Sequence, residues 1–173
     1  AHIVNVLVPM LRPQDIVICK IESPGGLVPH YGFAASQLAR LRDFCQLIVS
    51  IDLIAASGGY MMACVAHKII AAPFSIVGSI GVVAQLPNFN KFMKNKDIEF
   101  EEHTAGGSKR SLTMFGENTP EKRQRFTEKL DVTHRLFQEH IKKYRPQVDL
   151  EHVSDGNYFY ANESVFLLDN HLV

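Results

Sequence analysis

The chain alternates short runs of β-branched residues with segments of helical spacing, and this alternation constrains its fold more than any other feature. A run from Ile16 to Ile21 ends at a Ser-Pro-Gly-Gly turn, residues 23–26, after which helical spacing begins at Ala34, Ala35, Leu38 and Leu41. A second run, Leu47–Ile51, continues through Ile54–Ser57 and leads to the same spacing at Met61, Met62, Val65 and Ala66. Elements in this order predict an α/β domain with largely parallel strands and right-handed connections.

The middle of the chain continues the alternation less regularly. The elements predicted there are a strand at Lys68–Ala72, the turn Gly78–Gly81, a strand at Val82–Ala84, a helix at Pro87–Asn95 and a strand at Ile98–His103. The stretch from Thr104 to Asn118 holds glycines without clear periodicity. It predicts an exposed or partly mobile loop, and this loop carries Lys109.

One long helix dominates the last third of the chain. Thr119 is predicted to cap it, Pro120 lies in its first turn, and apolar residues recur at helical spacing until Pro146. The elements expected after it are a short helix at Asp149–Asp155, a strand at Tyr158–Tyr160 and a last helix at Asn162–Leu168.

Composition bounds the class of protein. With 173 residues, of which 46% are hydrophobic, the chain predicts a single domain over residues 1–173 with a substantial core. The 18 basic and 18 acidic side chains cancel, which argues against a nucleic-acid partner. No apolar run reaches the roughly 20 residues that cross a bilayer. The abrupt start and the apolar end suggest that the chain is trimmed from a longer protein, so that an anchor is missing. The three cysteines, without metal-type spacing, indicate free thiols, and no metal or cofactor is expected.

Ser57 is the candidate nucleophile. It lies where a predicted strand gives way to a helix, and Gly58 and Gly59 permit a sharp turn that would expose its hydroxyl. The N–H groups at the start of that helix could stabilise an oxyanion beside Ser57. Gly25 and Gly26 follow the first strand in the same way, so that their N–H groups could complete an oxyanion hole.

Lys109 is the candidate base. None of the eight histidines has a convincing position. His67 lies at the far end of the helix that Ser57 begins, and the segment that directly follows the turn Gly78–Gly81 has no histidine. A lysine can act as base only when its amine is neutral, which requires a buried site that lowers its pKa well below the usual value of about 10.4. The small neighbours of Lys109 would let the loop fold inward, and Ser79 could orient the amine.

Several ordered blocks of the sequence resemble the SohB/SppA family of bacterial signal peptide peptidases. The blocks are residues 22–26 (ESPGG), 34–38 (AASQL), 55–64 (AASGGYMMAC), 72–84 (APFSIVGSIGVVA), 109–113 (KRSLT) and 116–119 (GENT). The resemblance implies a ClpP/crotonase-like α/β fold, made of repeated strand-strand-helix units with a C-terminal helical part. It also implies a serine endopeptidase with Ser57 as nucleophile, Lys109 as general base, Ser79 holding the lysine, and Gly25 and Gly58 as oxyanion donors.

The same resemblance implies a setting and a substrate class. Members of the family are tethered to the bacterial inner membrane, act on its periplasmic side, form oligomers and degrade signal peptides and other short hydrophobic peptides. The anchor is absent from this chain, and a homo-oligomer is expected. An extended peptide would pair with the backbone around Gly25–Val28 and Ile80–Ala84, which makes Leu27, Ile80, Gly81 and Val82 candidate substrate-binding residues.

Other functions remain open at this level. A crotonase-like acyl-CoA enzyme would use the same oxyanion glycines with an acidic base and would not need Ser57. A ClpP-type Ser-His-Asp peptidase is disfavoured because no histidine follows Gly81 closely. A catalytically silent scaffold that binds hydrophobic peptides would leave Ser57 unreactive.

Overall fold

A computed structural model describes residues 1–106, 109–164, 168 and 170–172. The chain divides into two compact units, Ala1–Gly81 with Arg135–Val173 and Val82–His134, and each is described by itself. Among the described residues, no helix is both long and apolar enough to span a membrane. The single peptidase domain over residues 1–173 stays a prediction.

The first unit contains two sheets and most of the helices. Its elements, in chain order, are α1 (His2–Leu7), a 3₁₀ turn (Val8–Met10), β1 (Ile16–Lys20), α2 (Val28–Phe44), β2 (Gln46–Ile51), β3 (Ile54–Ala56), α3 (Gly58–Ala63), β4 (Lys68–Ala71) and β5 (Ile76–Gly78). In the second unit, α4 (Asn90–Lys94) precedes α5 (Pro120–Tyr144), whose last residues belong to the first unit. The first unit ends with α6 (Leu150–Val153), β6 (Tyr158–Tyr160) and β7 (Asn170–Leu172).

The larger sheet is parallel throughout, in the order β1-β2-β4-β7. Ile18 pairs with Ile48, and Val49 pairs with Ile69. Strand β2 is interior and contributes fully buried side chains at Leu47, Val49 and Ile51, as expected for a strand with neighbours on both sides. The predicted parallel α/β architecture is confirmed.

The smaller sheet positions the residues of interest. Strands β3 and β5 pair in parallel, so that Ala56 lies beside Gly78, and β5 pairs with β6 in the antiparallel sense. On the other side of β3, Ser23 donates its N–H to Ile54 O at 2.9 Å and accepts from Ala56 N at 3.0 Å. Three segments therefore lie side by side at the same end of the smaller sheet: those that follow Ser23, Ala56 and Gly78.

Helix α3 runs through the core of the first unit. Five of its six residues are buried, among them Tyr60 and Met61. Two arginines bind the carbonyl groups that follow the helix: Arg42 donates to Val65 O at 2.6 Å, and Arg145 donates to Ala66 O at 2.7 Å. The predicted helix ends earlier than expected: the N–H groups of Val65 and Ala66 bind carbonyls only three residues back, Met62 O at 3.4 Å and Ala63 O at 3.1 Å, so the chain tightens into a turn. Val65 and Ala66 are nevertheless fully buried.

In the second unit, side-chain amides organise the loop that was predicted at Thr104–Asn118. Asn88 Nδ2 and Asn118 Nδ2 both donate to Thr113 O, at 2.8 and 2.9 Å. Thr119 Oγ1 accepts from Lys122 N at 3.3 Å, which confirms the predicted cap of α5. The loop prediction is confirmed for the residues that the structure describes.

Four predictions of secondary structure, three in the second unit and one in the first, are wrong wholly or in part. Val82–Ala84 and Ile98–His103 lie outside any strand, because an alternating pattern forms a strand only where a partner supplies backbone hydrogen bonds; Val83 is instead 81% exposed. The helix expected from Pro87 begins only at Asn90, and the N–H of Phe89, the residue before it, donates to Met114 O at 2.7 Å. Of the helix predicted at Asn162–Leu168, residues 165–167 lie outside the described residues, and Asn162 and Glu163 form a turn.

Candidate active site

Ser57 occupies a sharp turn between β3 and α3. Its backbone has φ 51° and ψ −119°, a conformation that residues other than glycine rarely adopt. Hydrogen bonds hold it on both sides: Ser57 N donates to Gly78 O at 2.8 Å, and Ser57 O accepts from Met61 N at 2.9 Å. Such a conformation costs about 1–3 kcal/mol and persists only where the surrounding structure enforces it. The predicted strand-to-helix position of Ser57 is confirmed.

Gly25 lies directly against Ser57. Its φ is +97°, and a Cβ placed on it would lie 2.7 Å from both Gly58 N and Ser57 Cβ. Only glycine fits this approach, so the structure brings together two of the predicted oxyanion residues, Gly25 and Gly58, at the predicted nucleophile, Ser57. The N–H of Gly25 donates to Ser23 Oγ at 3.2 Å. An oxyanion would therefore share or replace that hydrogen bond.

Tyr31 and Ser23 line the same turn and were not among the predicted site residues. The Tyr31 hydroxyl lies 2.8 Å from Ser23 Oγ. The Tyr31 ring packs on Gly26, where an added Cβ would lie 2.9 Å from Cε2, and on Gly58, where an added Cβ would overlap the ring. One feature of the sequence could have identified Tyr31 as a site residue: it lies in the first turn of the helix that follows Gly25 and Gly26.

Ser79 directly follows the last residue of β5, Gly78, just as Ser57 directly follows the last residue of β3, Ala56. It also has a positive φ, 50°, its N–H donates to Asn157 O at 2.9 Å, and its hydroxyl donates to Gly156 O at 3.2 Å. Gly156 and Asn157 were missed by sequence reasoning because they lie far along the chain. The role of Ser79 in holding a lysine stays a prediction.

Lys109 belongs to the second unit. It is exposed, and its N–H donates to Gly106 O at 3.0 Å in a bend of the loop. The adjacent Gly107 and Ser108 lie outside the described residues. The role of Lys109 as general base is a prediction that the structure leaves untested.

The candidate substrate-binding residues differ in exposure. Leu27, just before α2, is 69% exposed, whereas Ile80 is fully buried in the core and could meet a substrate only through its backbone. The N–H of Gly81 donates to Ser79 O at 3.1 Å, and Val82, the first residue of the second unit, is half-buried.

Two histidines of the first unit, the exposed His67 and the half-buried His140, bind the backbone. His67 Nδ1 accepts from Leu47 N at 3.1 Å, and His140 Nε2 donates to Met61 O at 2.9 Å. Burial lowers the pKa of each imidazole below its usual range. Both rings bind backbone groups outside the turn at Ser57, at Leu47 in β2 and Met61 in α3. Within the described residues, no three His, Cys, Asp or Glu side chains cluster as a metal site would require.

Comparison with a solved structure supports the fold of the chain. A solved structure described as the crystal structure of an enzyme is similar with a TM-score of 0.55 at 13% identity, covering 99% of this chain and 87% of that one, and this likeness concerns the fold alone. The α/β ClpP/crotonase-like fold is confirmed.

Similar sequences carry protease names. The chain is 53% identical over 159 residues to "Probable protease SohB" of Buchnera aphidicola, covering 91% of this chain and 47% of the relative. It is 27% identical over 158 residues to "Serine protease SPPA, chloroplastic" of Arabidopsis thaliana, covering 88% of this chain and 23% of that protein. The chain thus spans about half the length of the SohB relative.

Two family models cover nearly the whole chain. The model "Peptidase family S49 N-terminal" matches residues 1–38, and the model "Peptidase family S49" matches residues 39–168. The second match alone covers most of the chain and includes Ser57, Ser79 and Lys109. The chain therefore belongs to peptidase family S49.

Proposed function

We propose that the protein is a serine endopeptidase that uses Ser57 as nucleophile and Lys109 as general base. The observation that supports this most directly is the backbone of Ser57, which is held at φ 51° between a strand and a buried helix, with Gly25 pressed against it. A strained serine in this position presents its hydroxyl at the end of the strand, where a peptide carbonyl can approach it. Membership of a peptidase family supports the same reaction.

The proposed reaction passes through an acyl-enzyme. Lys109 Nζ takes the proton of Ser57 Oγ as the oxygen attacks the peptide carbonyl, and the C–N bond then breaks as the leaving amine receives that proton. The amine of Lys109 then activates the water that hydrolyses the ester. Ser79 orients the Lys109 amine in this proposal.

The oxyanion of the tetrahedral intermediate is assigned to the N–H groups of Gly58 and Gly25. Gly58 is the first residue of α3, so its N–H has no partner within the helix. Gly25 lies close enough to Ser57 to point at the same carbonyl once its bond to Ser23 is shared. Removing one such donor typically costs about 3 kcal/mol of transition-state stabilisation.

The proposed substrates are signal peptides and other short hydrophobic peptides, bound in extended form. Leu27 offers exposed apolar surface beside Gly25 and Gly26, and the backbone at Ile80 and Gly81 offers polar groups for pairing. The proposed setting is the periplasmic side of a bacterial inner membrane, in a homo-oligomer attached by an anchor outside this chain. The balanced charge of the chain gives no support to a nucleic-acid partner.

Cleavage of a fluorogenic hydrophobic peptide and labelling by a fluorophosphonate probe test the proposal on the complete protein. Ser57→Ala should abolish both labelling and cleavage, and Lys109→Ala should lower kcat by at least about 1,000-fold, as loss of a component of a nucleophile–base pair does. Matched controls are Ser36→Ala, on the exposed face of α2, and Lys91→Ala, exposed in α4.

The controls should retain wild-type rates. Cleavage that persists in Ser57→Ala would refute the nucleophile, and cleavage that persists in Lys109→Ala would refute the base while leaving the serine mechanism in place. An intact protein whose Ser57 never reacts with the probe would instead be the peptide-binding scaffold.

A further inference from the structure

Tyr31 connects three parts of the chain that surround Ser57. It lies in the first turn of α2, its hydroxyl is hydrogen-bonded to Ser23 Oγ at 2.8 Å, and its ring packs on Gly26 and Gly58. The proposed reaction above assigns no task to this side chain. Its contacts nevertheless all lie with residues that flank the nucleophile.

The hydroxyl of Tyr31 ends a short chain of hydrogen bonds. Ser23 is fixed to β3 by its backbone, through Ile54 O at 2.9 Å and Ala56 N at 3.0 Å. Its Oγ accepts from Gly25 N at 3.2 Å and also bonds to Tyr31. Because Ser23 Oγ is held by Tyr31, the direction of the Gly25 N–H depends on the tyrosine hydroxyl.

The ring of Tyr31 acts on the other donor. It fills the volume that a side chain at Gly58 would occupy, so the first peptide of α3 lies directly on a flat, rigid surface. The ring also contacts Gly26, where an added Cβ would lie 2.9 Å from Cε2. Close packing of this kind leaves the backbone little room to rotate.

We propose that Tyr31 is a positioning residue that holds the N–H groups of Gly58 and Gly25 in the direction of the carbonyl attacked by Ser57. The inference rests on the proposed peptidase function. Donors that are already oriented stabilise an oxyanion without reorganisation during the reaction, which is the source of their effect on rate. Tyr31 itself does not contact the reacting atoms in this scheme: its ring orients Gly58, and its hydroxyl orients Gly25 through Ser23.

Four variants of the complete protein separate the contribution of the Tyr31 hydroxyl from that of its ring. They are Tyr31→Phe, Ser23→Ala, the double variant of these, and Tyr31→Leu. Losing an oxyanion donor lowers kcat by roughly 100- to 1,000-fold, so loosening one should cost less. We expect Tyr31→Phe and Ser23→Ala each to lower kcat about 10-fold, and Tyr31→Leu about 100-fold, with KM within about twofold of wild type. The double variant should fall no further than Ser23→Ala alone, since that single variant has already lost the hydrogen bond between Ser23 and Tyr31.

Two further readouts distinguish positioning from a purely structural role. Fluorophosphonate labelling of Ser57 should slow by the same factors, because the phosphoryl oxygen occupies the place of the oxyanion. Thermal unfolding locates a temperature at which every variant is folded, and the rates are compared there. Tyr160→Phe, which removes an exposed hydroxyl from β6, is the matched control and should retain the wild-type rate.

The outcomes are separable. If Ser57→Ala abolishes cleavage but the folded Tyr31 and Ser23 variants keep the wild-type kcat and labelling rate, the positioning role is wrong and the peptidase function stands. A raised KM with unchanged kcat would also overturn it, because Tyr31 would then bind substrate. Cleavage that survives Ser57→Ala overturns the proposed function, and the inference with it.

Discussion

At the scale of single residues, the turn at Ser57 depends on two unusual backbone conformations. Ser57 tolerates φ 51° although a glycine would adopt it with less strain, which is consistent with a requirement for its hydroxyl. Gly25 has φ +97° and no room for a side chain. The contact between Gly25 and Gly58 therefore places a direct restriction on which residues the turn can contain.

We predict that Gly25→Ala destabilises the protein and inactivates it. The new methyl group would meet Gly58 N and Ser57 Cβ at 2.7 Å in a backbone conformation that alanine avoids, so we expect a loss of about 1–3 kcal/mol in the free energy of unfolding. Urea unfolding and peptide cleavage measure the two effects.

Gly32→Ala is the matched control. It lies inside α2 with nothing within 4 Å of an added Cβ, so it should raise stability by up to about 1 kcal/mol and leave cleavage unchanged. Equal stability of the two variants would contradict the close approach at Gly25.

At the scale of elements, α3 is too short to be stable by itself and depends on its neighbours. Six residues form fewer than two turns of helix, well below the length at which isolated helices persist in water. Tertiary contacts supply what is missing: Arg42 and Arg145 bind the carbonyls just after it, and His140 of α5 donates to Met61 O within it. These contacts near the C-terminal end of α3 therefore also help to hold its first residue, Gly58, in place.

We predict that stability falls as the pH drops below about 6.5. Burial lowers the pKa of His140, and burial with the nearby Arg42 and Arg145 lowers that of His67, whereas both titrate near 6.5 in the unfolded chain. Between those pKa values the unfolded chain binds protons that the folded chain does not, so protonation favours unfolding. The effect ends once the pH reaches the lower, folded-state pKa.

Urea unfolding between pH 5 and 8 measures this slope. His140→Gln should flatten it in part, because Gln cannot take up the proton, and His140→Gln with His67→Gln should flatten it further. A slope identical in all three proteins would show that these histidines do not account for it.

At the scale of the whole molecule, the two units are built differently. The first unit has two sheets and a continuous buried core, which includes Val49, Tyr60 and Ile141. The described residues of the second unit have regular structure only in α4 and in the first part of α5, and several of their aromatic side chains are exposed, such as Phe89 and Phe92. Backbone that lies outside helices and sheets opens more easily than backbone within a core.

We predict that limited trypsin digestion of the complete protein cuts this chain first after Lys96 and Arg110. Both are exposed and lie outside helices and strands, whereas Arg42 is in α2 with its side chain bound to Val65 O, and Lys68 is in β4. Mass spectrometry of early fragments identifies the sites. Initial cleavage at Arg42 or Lys68 would contradict the difference in local stability.

The sequence by itself determined the features that local spacing encodes. The alternation of β-branched runs and helical periods predicted β1, β2 and α2, and Thr119 with Pro120 predicted the start of α5. The Ser-Gly-Gly segment was enough to locate Ser57 at a strand-to-helix turn. Such signals suffice because caps, turns and periodic faces depend on residues a few positions apart.

Only the tertiary structure decided which of these segments meet. It placed Gly25 against Gly58, Gly156 beside Ser79, and Tyr31 over the turn, and it left Val82–Ala84 without the strand that its residues predicted. Each of these outcomes depends on hydrogen bonds and packing between residues distant in the chain. A strand or a close backbone approach exists only where a partner is present, and the spacing of residues within one segment carries no information about that partner.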